Sequence, residues 1–368
     1  MNSIKKVLIV SWKSIDQSVI DKNFIESLRK NYTVYFLDIT KVLNIKQNQS
    51  ISKKYYTLKK LKIIRIKNFA NLKKKVHQIN PDLIIPYFME NFSIKTKKIY
   101  FYLKKLDIPI MKILDTAFIN GVRYLNIFVK QFFFFKKLFY DYIIHVGSRN
   151  SQNFYKSKNN IYIHHYDYEN YLKVKKKHKK LKKKYAVFLD QNLIFHPDLK
   201  INRMQNWLNP NKYFSNIKNF FKFFKKNFNL EIKIAAHPST SKNYFGNFKS
   251  YYNCTAKLVR DAEIVFLHNS TSISYPVLFK KKIVFLTSNE INKLFIGKDI
   301  YHRANFFNKI PINIDNKFEK KAIENSLINY SNMYDIYKKM FLKHPKSLKK
   351  NFSYILTKYF YKNKKSYK

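Results

Sequence analysis

His237 follows the apolar run EIKIAA (231–236) and is itself followed by Pro238, Ser239, Thr240 and Ser241. An imidazole titrates near neutrality, so it can donate to a phosphate oxygen or give a proton to a departing phosphate. Pro238 fixes the turn and biases the residue before it toward extended backbone. A second set of polar groups follows AEIVFL (262–267): His268, Asn269, Ser270, Thr271 and Ser272. Ser270–Ser272 precede the apolar run ISYPVLF and read as a helix N-cap, where hydroxyls and unpaired N–H groups suit an anion. YAVFLD (185–190) ends in Asp190, then Gln191, Asn192 and, slightly later, His196-Pro197-Asp198; KIVFLT (282–287) is followed by Ser288, Asn289 and Glu290. Asp190 is a candidate general base if it faces a cleft. Each piece alone has a plainer reading as a turn, a helix cap, or a carboxylate satisfying loop N–H groups. Together, on four successive strand ends, they point to a phosphate or nucleotide site.

The elements that position these groups form two series. In the first half, KKVLIVSW (5–12), YTVYFLD (32–38), LKIIRI (61–66), PDLIIPYF (81–88), IPIMKILD (108–115) and YIIHVG (142–147) read as strands. Helical patterns such as DQSVIDKNFIESLRKN (16–31) and FANLKKKVHQIN (69–80) separate several of them. Continuous apolar strands alternating with helices indicate a parallel sheet covered on both faces. The Lys-rich block YLKVKKKHKKLKKK (171–184) reads as a solvated linker. After it the alternation resumes, with SNIKNFFKFFKKNF (215–228) as its clearest helix. The expected organisation is an α/β chain of two Rossmann-like parallel-sheet domains facing a cleft. Residues 1–170 form the first domain, 171–184 the linker and 185–331 the second domain. Residues 332–368 form a basic helical tail packing back on the first domain. Ligands of such sheets bind beyond the carboxyl ends of the strands.

Composition removes several function classes. The four glycines, Gly121, Gly147, Gly246 and Gly297, cannot build a G-x-G-x-x-G or a Walker loop. The single cysteine, Cys254, excludes an intrachain disulfide framework and a Cys-built zinc site. His164, His165, Asp167 and Glu169 lie close in sequence but lack the helical spacing of a metal site, and no D-x-D clamp occurs. No metal and no cofactor are expected. The net charge of +51, from 73 Lys+Arg against 22 Asp+Glu, has two readings: a polyanionic partner or surface, or the codon bias of an AT-rich genome. No nucleic-acid-binding module is recognisable, so no specific nucleic-acid partner is expected. Val122–Ile144 is the most apolar region, but Lys130, Lys136 and Lys137 interrupt it. It falls short of the roughly 18 apolar residues of a spanning helix. It reads as a buried or groove-facing helix, or as a peripheral membrane contact.

FLDQNLIFHPDL, IKIAAHPSTSKNYFGN and TAKLVRDAEIVFLHNSTSISYPVLFKKKIVFLTS together resemble glycosyltransferase-like proteins of bacterial surface-polysaccharide gene clusters, those of capsule and lipopolysaccharide. They are more distantly similar to bacterial sialyltransferases and polysialyltransferases of the GT-B fold, which carry a short acidic motif, a His-Pro motif and a paired Ser/Thr motif. The resemblance covers about residues 185–290 and implies an inverting, metal-independent transferase using a nucleotide-activated sugar, a CMP-linked one being the candidate. His237 and Pro238 match the His-Pro motif, with Ser239 behind them. Ser270 and Thr271 match the Ser/Thr motif, with Ser272 behind them. Both motifs bind the nucleotide phosphate in that family. Asp190 falls near the acidic motif but is followed by Gln191-Asn192 rather than acid-Gly. The base therefore stays open between Asp190 and Asp115 of the other domain. Pro276 falls where a helix interior is expected, unless the helix begins a turn later. Lys282 stands where proline is common. The implied partners are the sugar donor, a glycan or lipid-linked acceptor, and an anionic membrane surface on the cytoplasmic side. A GT-B-shaped epimerase or inactive scaffold is the alternative.

Overall fold

Continuous apolar runs need cover on both faces, and the helices between them supply it. The computed structural model describes residues 4–45, 55–88, 93–114, 138–149, 155–175, 184–196, 207–240, 242–328 and 331–365. The six expected runs of the first half are strands: β1 (Lys6–Ser11), β2 (Thr33–Asp38), β3 (Leu61–Arg65), β4 (Leu83–Tyr87), β5 (Met111–Leu114) and β6 (Leu138–His145). A seventh, β7 (Tyr155–Tyr162), was not expected. Every pairing is parallel, in the orders β3-β2-β1-β4 and β5-β6-β7, and a single parallel bridge from Ile84 to Ile110 joins the two ribbons. Successive strand residues face opposite ways. Val7 and Ile9 of β1 therefore enter one core with Val34, Phe36 and Leu28. Leu8 and Val10 enter the other with Leu72, Val76 and Leu103.

The expected helix over 16–31 is two helices, α1 (Gln17–Lys22) and α2 (Ile25–Asn31). Phe24 between them is left-handed, at φ 52°, and its ring stacks on Phe352 at 4.0 Å. Phe352 opens the C-terminal helix (Phe352–Lys365), which covers the β1 face through Phe352, Ile355 and Leu356. Ahead of this helix the chain crosses the ends of β6 and β7. The amides of Ser148 and Arg149 donate to Lys339 and Met340, and His165 donates to Leu342. Gly147 allows this crossing, since a Cβ there would overlap the Met340 carbonyl. α3 (Phe69–Ile79) and α4 (Ile94–Lys104) cover the opposite face.

The residues fall into two compact units, divided at Glu169/Asn170 and at Lys338/Lys339. The first division lies inside α5 (Tyr166–Lys175), so Tyr171–Lys175 of the Lys-rich block are helical. The rest of that block to 183 lies outside the described residues, as do Asp115 and 116–137. Of the Val122–Ile144 stretch, Leu138–Ile144 is described. It belongs to strand β6 with Tyr140, Tyr142, Ile143 and Ile144 buried, which agrees with the strand expected from 142 and corrects the helical reading of 138–141. Among the described residues, no helix is long and apolar enough to cross a membrane.

The second unit contains β8 (Tyr185–Leu189), β9 (Glu231–Ala235), β10 (Ser250–Tyr251), β11 (Ile264–Leu267), β12 (Lys282–Thr287) and β13 (Ile312–Asn313). All pairings are parallel, in the order β10-β9-β8-β11-β12-β13. The chain builds outward from β8 on one side, then returns through α7 (Thr255–Asp261) to β11 on the other, so the strand order reverses between β8 and β11. α6 (Pro210–Phe228) begins five residues before the expected helix. Asn209 caps it by accepting from Lys212 N, and Pro210 occupies the first turn, where no N–H is needed. Its buried stripe of Tyr213, Ile217, Phe220, Phe221 and Phe224 meets Phe188 and Phe266 of the sheet edge-on.

Candidate functional site

The strand reversal places three loops side by side at the carboxyl edge, after β9, β8 and β11. Neighbouring strands lie about 4.8 Å apart, so groups on these three ends share one small area. The β8 loop lies in the middle and reaches both ways. Gln191 Oε1 accepts from Asn269 N on the β11 side. Asn192 Nδ2 donates to Ser239 Oγ at 2.9 Å on the β9 side. Asn192 is left-handed, at φ 51°, a conformation that asparagine tolerates better than most side chains.

Asp190 anchors this arrangement. Only 8% of it is exposed. Its Oδ1 accepts from Asn192 N at 2.8 Å, and its Oδ2 accepts from Thr240 Oγ1 at 2.9 Å and His237 N at 3.3 Å. All three donors belong to the two loops. The carboxylate clamps the His-Pro turn onto the end of β8, which matches the plainer of its two readings.

His237 is half-buried. Its Nδ1 accepts from Ser239 N at 3.2 Å and lies 2.7 Å from Ser239 Oγ. Because Ser239 N donates to Nδ1, that nitrogen carries no proton, and the Ser239 hydroxyl, which accepts from Asn192, donates to it as well. A chain from Asn192 through Ser239 to His237 thus keeps the His237 proton on Nε2. Pro238 and Ser239 are exposed beside it. The ring of His196 lies 4.9 Å from that of His237, tilted by 60°. Pro197 and Asp198 lie outside the described residues.

On the β11 side, Ser270 caps a single 3₁₀ turn (Thr271–Ile273) by accepting from Ser272 N at 3.2 Å. Thr271 is exposed and Ser272 half-buried. α8 (Ser274–Leu278) starts only after this turn, so Pro276 lies in its first turn and removes no helical bond. Beneath Ser270, the buried Arg303 of α10 (Phe295–Phe306) donates to its carbonyl at 3.2 Å. Burial pulls the Arg303 pKa down, and Tyr337 and Asp299 oppose this.

His268 does not join the site. It is fully buried, its Nδ1 bonded to the Leu286 carbonyl at 2.8 Å and its Nε2 to Tyr213 Oη at 2.9 Å. Burial lowers its pKa to about 4, so it is a neutral core imidazole. The β12 loop is likewise structural at its start. Ser288 caps the helix α9 (Asn289–Asn292), and Glu290 accepts from Asn209 N at the head of α6. In the first unit, His164 pairs with Glu169 and His165 with Asp167. Among the described residues, no cluster of three or more His, Cys, Asp or Glu could hold a metal.

Sequence reasoning placed His237, Ser239, Ser270 and Thr271 at strand ends on one edge of one sheet, and they follow β9 and β11, the two strands that flank β8. It missed Gln191 and Asn192 as the bridge between the two loops. An asparagine just past a central strand, where the backbone must turn, was the available signal. It also missed Arg303, for which no local signal exists.

No protein-family model and no curated protein matches this chain. Solved structures share its fold at low identity. A putative UDP-N-acetylglucosamine 2-epimerase from Listeria monocytogenes is 8% identical with a TM-score of 0.53, covering 100% of this chain and 97% of its own. The UDP-GlcNAc 2-epimerase of Methanocaldococcus jannaschii, in complex with UDP-GlcNAc and UDP, is 13% identical with a TM-score of 0.51, covering 97% and 100%. A variant of the wall teichoic acid polymerase TagF is 11% identical with a TM-score of 0.51, covering 98% and 89%. The parallel-sheet α/β units match the GT-B fold of such glycosyltransferases and epimerases. These three are epimerases and a polymerase rather than sialyltransferases.

Proposed function

We propose that the chain is a GT-B enzyme acting on a nucleotide-activated sugar, and that it transfers the sugar with inversion and without a metal. The observation that carries this is the tethering of the loops that hold His237 and Ser270–Thr271, through Ser239 and Asn269, to Asn192 and Gln191 of one central loop at the strand reversal, where parallel sheets take ligands. His237, with its proton held on Nε2, would donate to the nucleotide phosphate, and the Ser270 and Thr271 hydroxyls would add to it. Such donors, fixed before reaction, stabilise a departing phosphate in place of a metal. Asp190 acts here as a positioning residue, because its carboxylate is taken up by loop donors. The acceptor hydroxyl then loses its proton to another carboxylate, for which Asp115 is the candidate. The acceptor is a glycan or lipid-linked glycan of a bacterial surface polymer. The basic surface would hold the enzyme against an anionic membrane on the cytoplasmic side.

Titration with CMP, UDP and GDP while following thermal unfolding tests the site. A ligand that binds the folded state raises Tm by mass action. One nucleotide raises Tm in the wild type, and His237→Ala needs about tenfold more of it, the loss expected for a hydrogen bond to a charged group. No response to any nucleotide, or an equal response from the variant, defeats the assignment. Epimerases share this fold and are the second reading. A nucleotide sugar interconverted with its epimer in the absence of any acceptor, followed by NMR, would favour them.

A further inference from the structure

The carboxyl edge of the first sheet carries a second cluster, unconnected with His237 or Ser270. His145 at the end of β6, Tyr162 at the end of β7 and His344 from the crossing segment form a column of rings. His145 and Tyr162 stack at 5.4 Å and 28°, and Tyr162 and His344 at 4.2 Å and 27°. The Lys346 ammonium stands 5.3 Å from the centre of the Tyr162 ring. His145 is buried and held through Nε2 by Asn160 Oδ1 at 2.7 Å. His344 Nδ1 accepts from Lys346 N at 3.1 Å, which leaves its proton on Nε2. Lys343 donates to the Ser347 carbonyl at 2.7 Å and so stays beside it.

The charge around His344 is one-sided. The titratable groups facing it are His145 from β6, Tyr162 from β7, and Lys343 and Lys346 from its own segment. Partial burial, then His145, Lys346 and Lys343, lower its pKa to about 4. Among the described residues, neither His344 nor Lys346 is ion-paired with a carboxylate. Lys346 stands beside His344 with no carboxylate paired to it, so an anion that accepts from both meets no resident counter-charge to displace. The rings hold their partners from both sides, so the geometry is set before any ligand arrives.

We propose that His344 and Lys346, held against the Tyr162 ring that His145 backs, form a phosphate-binding site built wholly from the first unit. A phosphate offers several oxygens to donors approaching from different directions, which suits an imidazole and a flexible ammonium together. If the transferase reading holds, this phosphate belongs to the acceptor. The site itself does not depend on that reading.

The test follows the imidazole resonances of the full chain by NMR as inorganic phosphate, and separately glycerol 3-phosphate, is added at constant ionic strength. The expected result is a saturable shift of His344 with a rise in its pKa, while His77 and His302 stay unmoved. Lys346→Ala weakens this response about fivefold, the loss expected for one partly exposed ion pair. His237→Ala leaves it unchanged, which separates this site from the nucleotide site. Vesicles of phosphatidylcholine with and without phosphatidic acid identify the source. A Lys346-dependent response to phosphatidic acid alone supports the site with a lipid phosphate, and a response to the soluble esters supports it with a soluble one. No saturable shift with any of these, an equal shift with chloride, or loss of the response in His237→Ala overturns the proposal.

Discussion

Asp190→Asn keeps the shape of the side chain and removes its charge, so it separates a base from a clamp. The carboxylate accepts three hydrogen bonds, at 2.8 Å from Asn192 N, 2.9 Å from Thr240 Oγ1 and 3.3 Å from His237 N. An amide has one oxygen for these three donors. With that oxygen toward Thr240 and His237, its NH₂ group faces Asn192 N–H, and one charge-assisted bond becomes a clash of donors. Losing that bond costs about 1.5–3 kcal/mol, and the weakening of the other two adds roughly another 1 kcal/mol. We expect about 3 kcal/mol of destabilisation. With a denaturant slope of about 2 kcal/mol/M, this lowers the urea midpoint of the second unit by roughly 1.5 M. The chain has two tryptophans, and Trp207 donates to Leu193 O in the same loop region. In a Trp12→Phe background, Trp207 fluorescence therefore reports the second unit alone. Nucleotide affinity should fall with the midpoint, because the His-Pro turn loses its anchor. An unchanged midpoint and unchanged nucleotide affinity, with turnover down about 100-fold or more, would refute the clamp and restore Asp190 as the base.

Other perturbations give equally direct readings. His268 has a folded pKa lowered to about 4 from 6.5, so between those values the unfolded chain binds a proton that the folded chain does not. Stability is therefore full above about pH 6.5 and falls as pH drops toward 4, by up to about 3 kcal/mol; urea midpoints across this range should lose that dependence in a His268→Asn variant. Tyr213→Phe removes the donor to His268 Nε2 and should cost about 1–2 kcal/mol by the same measurement. Gly297→Ala places a Cβ 2.6 Å from Ile291 O and 2.7 Å from Asn292 Cα, and should destabilise the second unit by about 2 kcal/mol. Gly147→Ala drives a Cβ into the Met340 carbonyl; protease cleavage between Lys339 and Lys350 should become faster in the variant than in wild type.

Elements written as unbroken apolar runs were legible, because such runs have one stable use in an α/β chain. β7 was not, since YKSKNNIY carries lysine and asparagine at its exposed positions. Its extended form comes from seven paired positions along β6 rather than from its own composition. The two-residue strands β10 and β13 are edge additions with no pattern to read. The break at Phe24 was hidden because a ring stacked on Phe352, far along the chain, compensates an unfavourable backbone. At the site, His237 and Ser270 were visible because strand ends can be counted. The choice between the two readings of Asp190 was not, because it depends on which donors fold back onto the carboxylate. His268 looked like a neighbour of Ser270, yet it points into the core, and only the partners Tyr213 and Leu286 reveal that.

The crossing of Lys339–Lys343 over Gly147 fixes an order of events during synthesis. Asn170–Lys338, the described part of the second unit, are made before the crossing segment and the C-terminal helix leave the ribosome. Until then Val7, Ile9 and Phe24 of the earlier-made half lack the cover of Phe352, Ile355 and Leu356. Closing so long a loop adds little entropy cost, because that cost grows only with the logarithm of length. The consequence lies in exposure rather than in final stability. The later unit matures first, and the earlier one waits with an apolar sheet face open to chaperones and to misassembly.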